Sequence, residues 1–455
     1  MRRSRLFQLG FSALLVTACG EQPTPTAPGD EPGGPALSLA AGDRVVNSAA
    51  DPGDGVCNSA ECTLREAIND PQSTRITFAP GLSGPITLAR PGEGGGQLEI
   101  TRSLTITGPS RQIGIRGRSP ELAFPVFRID EHATVTLSNL IIRRGGDGVL
   151  NRGTLTVTNC LLAGNSGYGI STVFGTLTLT RSTAEANGGG VGFSHGTGTL
   201  SHDRIARNRG GLVVGSSTVT LANSTIAGNS GGRDGGGISL VEGRVTVVRS
   251  TIANNSVTGQ GGGVFVRSDN VFRRGGASIS LVNSTVSGNS ASFGGGIANS
   301  PDKGGAGIGL RNTTVTGNTA TQQGGGIYQN GPMNDEDFGS LSLANSLVAG
   351  NNAPTAPDLL VVSGFLSGRF NLIGVGGGSS LANGVDGNQV GTAAAPIDPR
   401  LGVLADHGGP THTHALLLGS PAIDAGSTTG CPSIDQRGVS RPQGAGCDIG
   451  SYERE

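Results

Sequence analysis

Tryptophan is absent from this 455-residue chain, tyrosine occurs three times, and lysine once, at Lys303. Aromatic residues make up 4% and charged residues 14% of the total, with a formal net charge of −1. So few rings leave the chain poorly supplied with the flat platforms that sugar grooves usually use. Near-neutral charge gives no electrostatic case for nucleic acid or an acidic membrane. Only 35% of residues are hydrophobic, which is little for a chain longer than one ordinary core needs. What is abundant is glycine, at 81 residues. It follows no G-X-Y period of the collagen kind, and Val, Ile and Leu recur too regularly for a disordered chain.

The start is a targeting segment. "MRRSRLFQLGFSALLVTAC" has a basic stretch, a short apolar run and small residues before a cysteine, and the run is too short to span a bilayer. "VTAC", residues 16–19, resembles the bacterial lipobox, which implies a signal peptide over 1–18 and lipidation of Cys19. An ordinary secretory signal with an incidental Cys19 is the alternative. Residues 19–42 are rich in Pro, Gly and Thr and form a tether without a core. Export also suits the six cysteines: Cys57 lies near Cys62 and Cys431 near Cys447, so two disulfides are expected in an oxidising compartment. Cys160 is left over, as a small hydrophobe.

Between 111 and 370 the chain repeats itself. "AGNSGGRDGGGIS", "SGNSASFGGGIAN" and "TGNTATQQGGGIY" are variants of one unit, and asparagines recur six residues apart, as at Asn159 and Asn165 or Asn223 and Asn229. The second slot holds Asn165, Asn187, Asn208, Asn229, Asn255, Asn289, Asn318 and Asn351. Degenerate copies put Arg181, His202 or Arg249 in the first slot. Intervals as short as 22 and 21 residues are too small for a domain, so each unit must borrow its core from its neighbours. Within units, stretches such as "SISLVNSTVSG" alternate with period two and carry no helical segment. The pattern predicts single coils of short strands stacked in parallel. Equivalent asparagines would then lie about 4.8 Å apart, bonding amide to amide in a column, while some tolerate a left-handed corner. Glycines permit sharp bends where a side chain would clash.

The glycine-triplet and Asn units resemble the right-handed parallel β-helix proteins of the pectin-lyase-like group, and "GGGI" is similar to repeats of bacterial polymorphic outer-membrane proteins. "DGVCNSAECTLREAI", residues 54–68, resembles the CSLREA motif of bacterial surface β-helix proteins, with Thr63 in place of Ser. "DPRLGVLADHGGPTHTHALLLGSPAIDAG" with "DQRGVSRPQGAGCDIGSYE" resembles the choice-of-anchor Q domain, with His407 where Asn is usual. The resemblance implies an all-β, single-stranded right-handed parallel β-helix, and no known reaction. Its ends need caps, because a solenoid exposes apolar cross-sections and strand edges. Residues 43–110 are expected to form the N-terminal cap and first coils. There Thr63 and Glu66 make a capping box for a short helix that turns Leu64, Ala67 and Ile68 inward. Residues 371–455 form an irregular C-terminal cap.

Chemistry is sought where the repeat breaks. From the aliphatic residue after the glycines to the next strand, Ile170–Leu177 spans seven positions, but Val264–Ile279 spans fifteen, Ile297–Ile308 eleven and Ile327–Leu341 fourteen. Three successive coils thus carry insertions at one corner, holding Arg267, Asp269, Arg273 and Arg274, then Asp302 and Lys303, then Asp335, Glu336 and Asp337. This ridge is a candidate binding surface for a polar polymer, or a calcium site on the acidic loop; solvated loops tolerated at an outer corner explain it more readily. No catalytic set emerges. "RIDEH" (128–132) and "SHG" (194–196) are fragments of enzyme motifs. His202, Asp203 and Arg204 are adjacent, and adjacent strand residues point to opposite faces. Asp51 and Asp54 suit a turn. His412 and His414 flank one Thr without further ligands at zinc spacing. The reading is a lipid-anchored protein of the cell surface or outer membrane, without cofactor and without nucleic acid. Its partners would be the membrane, through the lipid, and a polysaccharide or a host or envelope surface. Its role would be adhesion, envelope structure or glycan binding; the alternative is a polysaccharide lyase or glycoside hydrolase.

Overall fold

Each coil contributes short strands to files that pair only with the equivalent strands of the coils before and after. In the computed structural model, which describes residues 40–118, 124–269, 276–300, 305–331 and 339–455, one coil runs through strands Tyr168–Val173, Thr176–Thr180 and Thr183–Glu185. These pair in parallel with Gly189–Ser194, Thr197–Ser201 and Arg204–Ala206 of the next. In two coils the first two strands merge into the single strands Leu212–Ala222 and Ile238–Val248. The first two files therefore join as one sheet of 22 described strands, and the third file is a sheet of 13.

The residue after each glycine cluster enters the core. Ile170, Val191, Leu212, Ile238 and Val264 occupy one register column and are fully buried in one continuous apolar interior. Each such burial contributes about 1.5–3 kcal/mol. The glycine triplets are there for two separate reasons. Gly261 has a φ of 66°, in the left-handed region, whereas a Cβ on Gly263 would fall 2.6 Å from the Gly296 carbonyl oxygen of the next coil.

The two asparagine slots do different work. First-slot residues all take left-handed φ, from Asn139 (56°) through His202 (60°) to Asn345 (48°). Second-slot residues form a buried amide ladder. Asn229 donates both its backbone N–H and its Nδ2 to Oδ1 of Asn255, at 3.0 and 2.9 Å. Asn255 does the same to Asn289, and each Nδ2 also reaches a carbonyl of the preceding coil, as from Asn229 to Ile205 at 3.1 Å. All four hydrogen-bonding positions of the amide are thereby used. The ladder runs from Asn165 to Asn351 and ends on Asp358, whose Oδ1 accepts from both nitrogens of Asn351 at 2.9 Å. An aspartate suits this terminus because a chain of donors pointing one way needs a final group that only accepts.

A second ladder, not foreseen from the repeat, uses the residue after the first slot. Cys160 N–H donates to Ser182 Oγ, Ser182 to Asp203 Oδ1, Asp203 to Ser224 Oγ, and Ser224 to Ser250 Oγ, all at 2.8–3.1 Å. A third stack comes from the polar run before the glycines. Strand Ser290–Phe293 pairs with Thr319–Gln323, and Phe293, Phe265, Tyr328 and Ala298 pack together as a small outer cluster.

Both ends are closed. The helix Leu64–Asn69 starts at Thr63 with its capping box to Glu66, and Leu64, Ala67 and Ile68 enter the core. Arg65 holds Asp51 at 2.7 and 3.0 Å, beside the Cys57–Cys62 disulfide. Parallel pairing continues past residue 370, to Gln389–Val390, and Leu381 and Val390 lie against the end of the core. The remaining chain, stapled by Cys431–Cys447, runs back along the flank of the 13-strand sheet. Thr251 Oγ1 donates to His412 O at 2.6 Å, Thr285 Oγ1 to Gln436 Oε1 at 2.7 Å, and Ser451 N–H to Thr314 Oγ1 at 3.0 Å. These outward threonines are consequently buried, whereas their counterparts Thr183 and Thr225 in earlier coils are half-exposed. Cys160 is free and buried.

Replacing Asn255 by Ala should strand both donors of Asn229 and the Ile226 carbonyl, and leave Asn289 Oδ1 with only the backbone N–H of residue 255. A loss of about 2–4 kcal/mol is expected in denaturant unfolding. Asn223→Gly, at a left-handed corner outside the ladder, should cost less than about 1 kcal/mol.

Candidate functional site

Because coils stack in register, the corner between the first two files becomes a line of neighbouring residues. Thr101, Asp130 and Arg152 follow one another there, since Ile100 pairs with Ile129 and Ile129 with Asn151. Arg128 lies 3.4 Å from Glu99 and 3.2 Å from Asp130. Thr101, Arg128, Asp130, Glu131, His132 and Arg152 line an open cleft of about 270 Å³. Thus "RIDEH" does assemble a charged hollow, though an exposed one in which the ion pairs are screened by solvent.

Farther along, Phe174, His195, Ser216 and Glu242 form the next column. All four hold left-handed φ, at 58°, 55°, 47° and 64°. Phe174 is 73% exposed, and its ring stacks on that of His195 with centroids 5.0 Å apart and planes 22° from parallel. Glycine or asparagine would occupy such a corner without strain. A phenylalanine there is disfavoured twice over, by its backbone conformation and by its apolar exposure. Sequence reading passed over this pair; the signal was a rare aromatic, Phe174, just beyond a strand, one coil before the "SHG" fragment.

Of the predicted ridge, Arg267 and Asp269 continue the same corner. Asp269 accepts from Arg267 at 2.6 Å and donates its backbone N–H to Glu242 Oε1 at 2.7 Å. Arg273, Arg274, Asp302, Lys303, Asp335, Glu336 and Asp337 lie outside the described residues, as does Cys19.

The other candidates have structural employment. His202 is exposed at a left-handed corner while Asp203 is buried in the second ladder, so the adjacent His202, Asp203 and Arg204 do not converge. His414 bridges Gly402 O at 2.7 Å and Ser287 Oγ at 2.8 Å, tying the C-terminal segment to the coils. Among the described residues, Asp54, Glu61 and Glu66 come close enough together to hold a cation. Glu66, however, already accepts from Gly55 and Thr63, and Glu61 from Ser48.

Residues 125–300 match the family model of the right-handed β-helix region. The fold is a right-handed parallel β-helix. Pectate lyase Pel9A is a structural neighbour of this β-helix at a TM-score of 0.52 and 14% identity, over 91% of this chain and 96% of that one. The Dettilon tailspike protein follows at 0.41 and 15%, over 76% and 66%. Tailspike protein 3 of bacteriophage CBA120 stands at 0.29 and 13%, over 66% and 52%. No curated protein matches the sequence.

Among the described residues, Asp203 places a titratable group inside the second ladder. Burial pushes its carboxyl from an ordinary 3.8 up to about 7, and Oδ2 has no hydrogen-bond partner. The ladder serines each donate their hydroxyl to a carbonyl two residues back, as Ser224 does to Ala222 at 2.7 Å; a neutral carboxyl likewise offers an O–H. Since the folded pKa is the higher one, this contribution is complete below the ordinary carboxylate range and is lost as pH rises through about 7. Asp203→Asn should therefore melt above the parent in alkaline buffer, by on the order of 1–4 kcal/mol, and close to it in acid. Parallel pH profiles for the two proteins would refute the assignment.

Proposed function

We propose that this protein is an exported bacterial lipoprotein, anchored through Cys19 and the tether, whose β-helix serves as a non-catalytic module for binding glycan at the cell surface. The observation that carries this reading is the strained, exposed Phe174 on His195. A flat ring held rigidly on a polar line matches the apolar face of a sugar, and Arg128, Asp130 and Arg152 at one end, with Glu242, Arg267 and Asp269 at the other, supply hydrogen-bonding partners for successive units of a polymer. The "VTAC" cysteine and the terminal segments that resemble the CSLREA motif and the choice-of-anchor Q domain support export and surface display. No cofactor is needed for this role.

A second reading has one observation in its favour. The cleft around Asp130 brings two arginines together in a fold shared with a pectate lyase, and their guanidinium groups suit the carboxylates of a uronate polymer. A single screen separates the two. Polysaccharide retention, with polygalacturonate among the probes, should weaken about tenfold in Phe174→Ala, be insensitive to chelator, and yield no unsaturated product. Product formation that disappears in Arg152→Ala would replace binding by lyase chemistry.

A further inference from the structure

The outward face of the second file begins just beyond the glycan corner, with Thr176 two residues after Phe174, and extends away from it. Its central column runs from Thr105 through Thr136, Thr156, Thr178 and Thr199 to Thr220, one threonine per coil in unbroken register. The column on its N-terminal side holds threonine from Thr134 to Thr218, and the one on its C-terminal side holds threonine or serine from Thr107 to Ser201. No charged residue interrupts the three columns until Arg244, which stands opposite Thr218 in the next coil. The threonines are exposed or half-exposed, and the chain's C-terminal segment covers a different sheet. Some hydroxyls already touch their neighbours, as Thr176 does Thr197 at 3.1 Å.

Strand geometry sets the dimensions of this array. Adjacent coils are about 4.8 Å apart, and alternate residues along a strand about 6.6 Å. Threonine is stiff at χ1, so hydroxyls and methyls repeat with the backbone rather than averaging over rotamers. Strand propensity alone would be met as well by Val or Ile, and solubility by scattered Lys or Glu. Repeated threonine excludes both, and leaves a flat, uncharged two-dimensional lattice of hydroxyl and methyl groups. Methyls favour ordered water around them while hydroxyls pin that water in place. The two repeats are close to oxygen spacings in hexagonal ice.

We infer that this threonine face is a binding surface for crystalline water. An extended rigid array gains from many weak, simultaneous contacts with a lattice of matching period, and such gains require every coil to stay in step.

The test uses the full chain in a slowly growing ice hemisphere and in an ice-recrystallisation assay. The chain is expected to enter the ice fraction and to keep ice grains small. Thr156→Lys and Thr178→Lys, both outward on the face, should each reduce ice enrichment at least about tenfold with melting temperature unchanged. Thr156→Ser with Thr178→Ser, which keeps the hydroxyls and removes the methyls, should reduce it too and guards against a folding defect in the lysine variants. Phe174→Ala should leave ice enrichment intact, so that failure here and failure of the glycan reading are distinguishable. Exclusion from ice, enrichment indifferent to the threonine changes, or retention on crystalline cellulose without ice enrichment would each overturn the inference.

Discussion

Everything in this protein rests on coils staying in register at the strand spacing. Backbone pairing alone does not prevent a coil from slipping by two residues, because alternation would be preserved. The buried amide ladder does prevent it. Asn229, Asn255 and Asn289 each satisfy donors and acceptors of both neighbours, so a slipped coil would leave several buried polar groups unpaired. The hydroxyl ladder through Ser182, Asp203 and Ser224 applies the same constraint at the adjoining corner. The apolar interior supplies driving force; the ladders supply the alignment.

Register turns sequence repetition into surface pattern. Any residue kept at one slot of the unit becomes a column, and columns on one face become a lattice. The chain uses this differently on each face. The later coils of one sheet are covered by the C-terminal segment, whose Gln436 and Ser451 bond to outward threonines there. One corner carries Phe174, His195 and a line of charged residues. One face stays bare, with its threonines repeating. A molecule with so few aromatics can thus still present one ring where it is most accessible, since a corner residue in left-handed conformation projects away from both neighbouring strands.

Much of this was legible from residues alone. The interval between second-slot asparagines, the capping box at Thr63 and Glu66, and the closeness of Cys57 to Cys62 and of Cys431 to Cys447 led to the solenoid, its plug and its staples, and the structure contains each. Roles within the repeat were less legible. Asn223 and Asn229 look alike in a string, yet one turns a corner and the other joins the ladder, because only φ and burial separate them. Asp203 drew attention only by standing next to His202; its place in a file of serines makes it an element of the fold. Of the expected ridge only Arg267 and Asp269 lie among the described residues, while Phe174 on the same line escaped notice, since its exposure depends on how the corner is bent.

By itself, then, the sequence determined the solenoid, its period, its inward aliphatic column and its caps, because these follow from local alternation and from a unit too short to fold alone. The tertiary structure decided which slot bends and which bonds, where the C-terminal segment lies, and which outward residues share a surface. Those outcomes depend on contacts between residues twenty or more positions apart, and such contacts exist only once the coils are stacked.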